Sequence, residues 1–187
     1  MLCMLLAQFT SNHSFAANKK TASVCEQNIS TASAAEGVPV GLLYAVALTE
    51  TGAGGQLRPY ALNIEGESLS TNTKSAAIAA FQAARKNEKQ LIDLGCMQIN
   101  YFYHHAAFNT VDDMLDPRKN INYAAKFLKN LKQKHGSWTE AVAHYHASSK
   151  NKSAQHRYVC KVLSNMVAKN FGAWTPEAKA YCGAKPE

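Results

Sequence analysis

Glu50 is the residue best placed to do chemistry. It closes the apolar run Leu42, Leu43, Ala45, Val46, Ala47 and Leu48, and Gly52 follows it. A carboxyl in the last turn of such a helix loses solvation when charged, and the helix dipole disfavours a negative charge there as well. Both effects lift a glutamic acid above its ordinary value of about 4.3. A carboxyl that keeps its proton near neutral pH can protonate a leaving-group oxygen, as in the cleavage of a glycosidic bond. Taken alone, the segment is more often an exposed glutamate, or one paired with Arg58 or a lysine. Two further clusters accompany it. Gln98 and Asn100 sit in the tight stretch Asp93–Asn100 around Gly95, and Tyr145 stands between His144 and His146. Read singly, Gln98 and Asn100 are turn caps and Tyr145 is a half-buried core residue.

Other chemistries find less support. Ordinary glycosidases pair two carboxylates. The candidates for a second are Glu65, Glu67 and Asp93. The two glutamates fall in a polar loop, where solvation is the simpler role, and Asp93 reads as the cap of a turn. His104 and His105 are adjacent, and His144 and His146 are two apart, so neither pair shares a helix face and no metal site is expected. No HExxH, P-loop or GxGxxG motif occurs, and no cofactor is expected.

The elements that position these residues read as helices around one irregular stretch. A first helix is predicted from Val24 to about Glu36, ending at Gly37, and a buried one follows Pro39. Residues 53–73 are rich in Gly, Asn, Ser and Thr and read as loop with a small hairpin. Lys74–Asn87 returns to helix, with Ala77, Ile78, Phe81 and Ala84 on one face. Asp116 and Pro117 open a helix that repeats Ile121, Ala124, Ala125, Leu128 and Leu131 up to Gly136. Ser137 and Glu140 spell a capping box for the next. A last long helix covers about Ser153–Lys169, with Tyr158, Val162, Leu163 and Met166 inward. One domain is expected over 22–170 and a loose tail over 171–187.

The chain has 187 residues, 47% of them apolar, which suffices for one buried core. The net charge is +7, but the Lys and Arg residues are scattered, so the charge reads as a solvated basic surface and not as a nucleic-acid arm. Residues 1–16 hold no charged residue, begin with a short apolar stretch and end on small residues at Ser14 and Ala16, as a secretory signal peptide does. No apolar run is long enough to span a bilayer. Removing such a leader takes Cys3 and leaves Cys25, Cys96, Cys160 and Cys182. An even number in an exported, periplasmic chain suggests two disulfides, with three possible connectivities.

Three segments together carry a resemblance. They are Ala45-Val46-Ala47-Leu48-Thr49-Glu50-Thr51-Gly52, Asp93-Leu94-Gly95-Cys96-Met97-Gln98-Ile99-Asn100, and Ala141-Val142-Ala143-His144-Tyr145-His146-Ala147. In order and spacing they resemble the lytic transglycosylase domain of the soluble-lytic-transglycosylase type, related to goose-type lysozyme, over roughly residues 24–165. The resemblance implies a mainly α, lysozyme-like domain with a substrate groove. It makes Glu50 the catalytic residue, and Thr51, Met97, Gln98, Asn100, Tyr145 and His146 the residues that meet the sugar. It places the Tyr145 hydroxyl near the catalytic carboxyl. It also implies that Cys25 pairs with Cys96, which leaves Cys160 with Cys182. Thr51 stands where the family usually has Ser, His146 where it has Asn, and Ser148 where it has Gly. A subgroup tied to flagellar or secretion machinery has a similar ending. The implied reaction cleaves peptidoglycan strands between N-acetylmuramic acid and N-acetylglucosamine and leaves a 1,6-anhydro ring. A hydrolytic muramidase of the same fold, or a peptidoglycan-binding protein without catalysis, are the alternatives.

Overall fold

A computed structural model describes residues 23–52 and 55–183, and the expected signal peptide lies outside the described residues. The architecture is mainly helical, with a small antiparallel sheet set between the second and the central helices. Helix α1 (Val24–Glu36) opens on a complete capping box between Ser23 and Glu26 and stops at Gly37 in the left-handed conformation. Helix α2 (Val40–Thr51) is buried from Gly41 to Leu48, as an apolar run without a polar face requires. Pro39 is its N-cap.

The irregular stretch holds more order than its composition suggests. Strands β1 (Ala61–Ile64) and β2 (Glu67–Ser70) form a hairpin. Helix α3 (Lys74–Lys86) follows, capped by Thr73. Strands β3 (Ile92–Leu94) and β4 (Ile99–Asn100) complete a sheet of order β2-β1-β3-β4. In it Asn63 lies opposite Asp93, and Asp93 opposite Asn100. The stretch Asp93–Asn100 is therefore a pair of short strands around a turn. Two four-residue helices follow, α4 (Tyr101–His104) and α5 (Val111–Met114).

The central helix α6 (Pro117–His135) packs on α1 on one side and on α7 (Trp138–His146) on the other. Helix α8 (Lys152–Ala168) packs on both α2 and α7. Buried Val46, Leu94, Met97, Leu128 and Val162 belong to one contiguous core shared by the helices and the sheet. Gly41 is where α2 meets the chain beyond α8: a Cβ there would stand 2.6 Å from Cβ of Phe171, so only glycine allows the approach. Of the capping box predicted for α7, the Ser137 half is present. The Glu140 carboxylate turns instead toward His144, 3.8 Å away.

Composition predicts a loose tail over 171–187, and the structure corrects this. Pro176–Cys182 form a helix, α9, capped by Thr175 and by left-handed Gly183. A disulfide between Cys160 and Cys182 ties it to α8, and the His156 ring donates to the Tyr181 carbonyl at 2.7 Å. The covalent tether and the caps order a segment too short to hold a helix by itself. The second disulfide joins Cys25 in α1 to Cys96 in the β3–β4 turn. Among the described residues no helix is long and apolar enough to cross a membrane.

Candidate active site

A groove of about 420 Å³ opens between the sheet and the helices. Glu50 reaches it from the end of α2, Asn63 and Ser68 from the hairpin, and Asp93, Gln98 and Asn100 from the β3–β4 region. Helix α4 contributes Tyr103 and His104, α6 contributes Phe127, and α7 contributes Tyr145 and His146. Eight separate elements, α2, β1 to β4, α4, α6 and α7, thus converge on one space of the size expected for a ligand site.

The Glu50 carboxyl is raised from an ordinary 4.5 to about 7. Burial at the end of apolar α2 is the main cause, and the charge of Asp93 adds to it. Opposing this, the Tyr158 hydroxyl donates to Glu50 Oε1 at 2.5 Å, and Lys161 also favours the charged form. Glu50 makes no pair with Arg58, whose guanidinium donates to Ser70 Oγ. The acid therefore sits close to the midpoint of its titration at neutral pH, where it can both give and take a proton.

Gln98 adopts φ +46°, which is left-handed and costly for a residue with a side chain. Its carboxamide nitrogen donates to the carbonyls of Gly95 at 3.0 Å and Ala61 at 3.1 Å, which fixes the side chain against the sheet. Beneath this turn lies Asn120, fully buried on α6. It accepts from the Met97 N–H at 2.9 Å and donates to the carbonyls of Leu94 and Met114 at 2.9 and 2.8 Å. Gly95, at φ +78°, fits over it, since a Cβ there would lie 2.8 Å from Asn120 Nδ2. Asp93 faces the groove, accepts from Asn100 Nδ2 at 2.7 Å, and has its pKa raised by burial.

The model for the transglycosylase SLT domain matches residues 27–165, which contain every groove element just described. The chain belongs to the SLT transglycosylase family. Neither curated proteins nor solved structures gave a match.

The expected sugar-contacting residues of this SLT domain divide into two groups. Gln98, Asn100, Tyr145 and His146 line the groove with Glu50. Thr51 and Met97 do not. The buried Thr51 hydroxyl donates toward the Cys96 and Ala47 carbonyls, each at 3.2 Å, and accepts from the Arg58 N–H at 3.5 Å. It latches the end of α2 to the Cys96 turn. Met97 is fully buried and supports the turn from below through its backbone. The Tyr145 hydroxyl, expected near the Glu50 carboxyl, donates to the Met97 carbonyl at 2.8 Å and stands close enough to Glu50 for that charge to help raise its pKa.

Tyr158 is the residue that touches Glu50, and the helical periodicity of α8 marked it only as inward-facing. The His146 ring stacks on it, 4.3 Å away and within 2° of parallel, and so holds it from the groove side. Burial, with Lys161 and Arg157 nearby, pushes the His146 pKa down and so favours the neutral form of the stacked ring. The remaining candidate carboxylates lie elsewhere. Glu65 pairs with Lys89 at 2.8 Å and Glu67 is on exposed β2. Among the described residues no group of three or more His, Cys, Asp or Glu is placed to hold a metal ion.

Proposed function

We propose that this SLT domain is a lytic transglycosylase that cleaves the β-1,4 bond between N-acetylmuramic acid and N-acetylglucosamine in peptidoglycan. The observation that carries the reading is a groove-facing carboxyl held near pH 7 by burial and oriented by a tyrosine hydroxyl. Protonated Glu50 gives its proton to the glycosidic oxygen, and the bond to the muramoyl anomeric carbon breaks. The substrate's own N-acetyl oxygen stabilises the positive charge. The Glu50 carboxylate, steadied by Tyr158, then takes the proton of the C6 hydroxyl of the same sugar. That oxygen closes on the anomeric carbon, and a 1,6-anhydro ring results without net addition of water. Glu50 ends the cycle protonated, and one residue serves as acid and base.

Asp93 favours a second reading. It shares the groove with Glu50, and a carboxylate there can orient a water for attack, which gives a hydrolytic muramidase. Digestion of purified sacculi by the full chain, with products weighed, separates the two. Anhydro products support the transglycosylase. Products heavier by one water support the hydrolase. The Glu50→Gln protein is expected to release neither. Equal release by both proteins, or none by either, supports a binding module instead.

Two disulfides suit an exported, periplasmic enzyme. The departures at His146 and Ser148, which resemble the ending of a flagellar or secretion-associated subgroup, support service to such an apparatus, where a wall must be opened locally.

A further inference from the structure

The groove that Glu50 faces is also lined by Phe127, His104 and Tyr103, from α6 and α4. A run of aromatic side chains leads outward from Tyr145. Its ring meets Phe127 at 5.6 Å, Phe127 meets His104 at 5.1 Å, and His104 meets Tyr103 at 6.4 Å. The Tyr123 hydroxyl fixes the His104 ring through Nδ1 at 2.8 Å. Tyr103 ends the run at the rim, with 69% of its surface exposed although it lines the groove. Phe102 braces it edge-on at 5.0 Å. Its backbone is equally well held: the Tyr103 N–H is capped by Asn100, which is bound to Asp93. An aromatic ring exposed this far, and on a rigid mount, contributes nothing to the core. Its flat apolar face and polar tip match the C–H face and hydroxyl edge of a pyranose ring.

We propose that Tyr103 forms a sugar-stacking subsite at the rim of the groove, binding a hexopyranose of the same glycan strand away from the bond cleaved, and so favours long strands over short ones. This rests on the glycan-cleaving reading above, because the occupant is the remainder of that substrate. The uncharged polar residues that share the groove with the ring, Asn63, Ser68 and Asn100, suit an uncharged N-acetylated sugar.

The test measures binding of β-1,4-linked N-acetylglucosamine hexamer and dimer to the full chain, with cleavage prevented by Glu50→Gln. In that background Tyr103→Ala is expected to weaken hexamer binding about tenfold, the worth of one well-placed aromatic contact, and to leave dimer binding unchanged. Tyr103→Trp is expected to restore it. The exposed position makes both variants foldable, which an unchanged unfolding temperature checks. Equal hexamer affinity with and without Tyr103 overturns the subsite, as does failure of the parent protein to bind the hexamer at all. Tyr103-dependent hexamer binding by a chain that releases nothing from sacculi keeps the subsite and removes the catalytic reading.

Discussion

Keeping Glu50 protonated near neutral pH has a thermodynamic consequence that Glu50→Gln exposes. The folded protein raises this carboxyl from 4.5 to about 7, chiefly by burial. A group whose pKa rises on folding adds stability that is complete below its unfolded value and is lost as pH climbs through its folded value. For Glu50 the loss therefore runs from about pH 4.5 to pH 7 and is complete above. At about 1.4 kcal/mol for each tenfold change in ionisation, that interval is worth about 3 kcal/mol. The carboxyl opens onto the groove, and solvent screening there reduces the figure to about 2 kcal/mol. Glutamine keeps the shape and cannot ionise. Glu50→Gln is thus expected to match the parent protein at pH 4.5 and to exceed it by about 2 kcal/mol at pH 8, or about 4–8 °C in unfolding temperature for a domain of this size. Thermal unfolding followed by circular dichroism at intervals between pH 4.5 and 8.5 measures the difference directly. A gap that is constant across that range, or that narrows as pH rises, refutes the argument that burial holds the proton on this residue. A variant that is inactive and more stable is the usual mark of a site strained for function.

Tyr158→Phe removes a hydrogen bond that favours the charged form of Glu50 while keeping the ring against His146. A bond to a charged group is worth about 1.5–3 kcal/mol. The alkaline fall in sacculus digestion is accordingly expected about one pH unit higher than in the parent protein, and an unmoved or lowered limb refutes it. Asn120→Ala leaves one N–H and two carbonyls without their partner under the Asp93–Asn100 turn. At about 1–3 kcal/mol for each such group, some of it recovered by relaxation, the expected loss is about 4 kcal/mol, read as a drop of about 10 °C in unfolding temperature. A drop below about 3 °C would show that the turn does not depend on it.

Much of this protein is written locally in its chain. The boundaries of α1, α3, α6 and α8 follow from apolar periodicity and from Ser23, Thr73, Asp116 and Asn151 as caps. The environment of Glu50 follows from the apolar residues that precede it, because a helix with no polar face must be buried. Patterning of this kind reports which side of an element is covered. It does not report which polar tip meets which. Glu50 and Tyr158 stand 108 positions apart, and only the packing of α8 on α2 brings them together. The same holds for the bond that fixes the Tyr145 hydroxyl on the Met97 carbonyl, and for Asn120, a polar residue on α6 that carries the turn. Sheet pairing turns Asp93 from a turn cap into a groove residue, and the latch to the Cys96 turn takes Thr51 out of it. Residue type and spacing thus determined the helices and the acid, since both depend on neighbours within a few turns. The partners that tune the acid and the rim that extends the groove depend on how distant elements dock, and only the tertiary structure decided them.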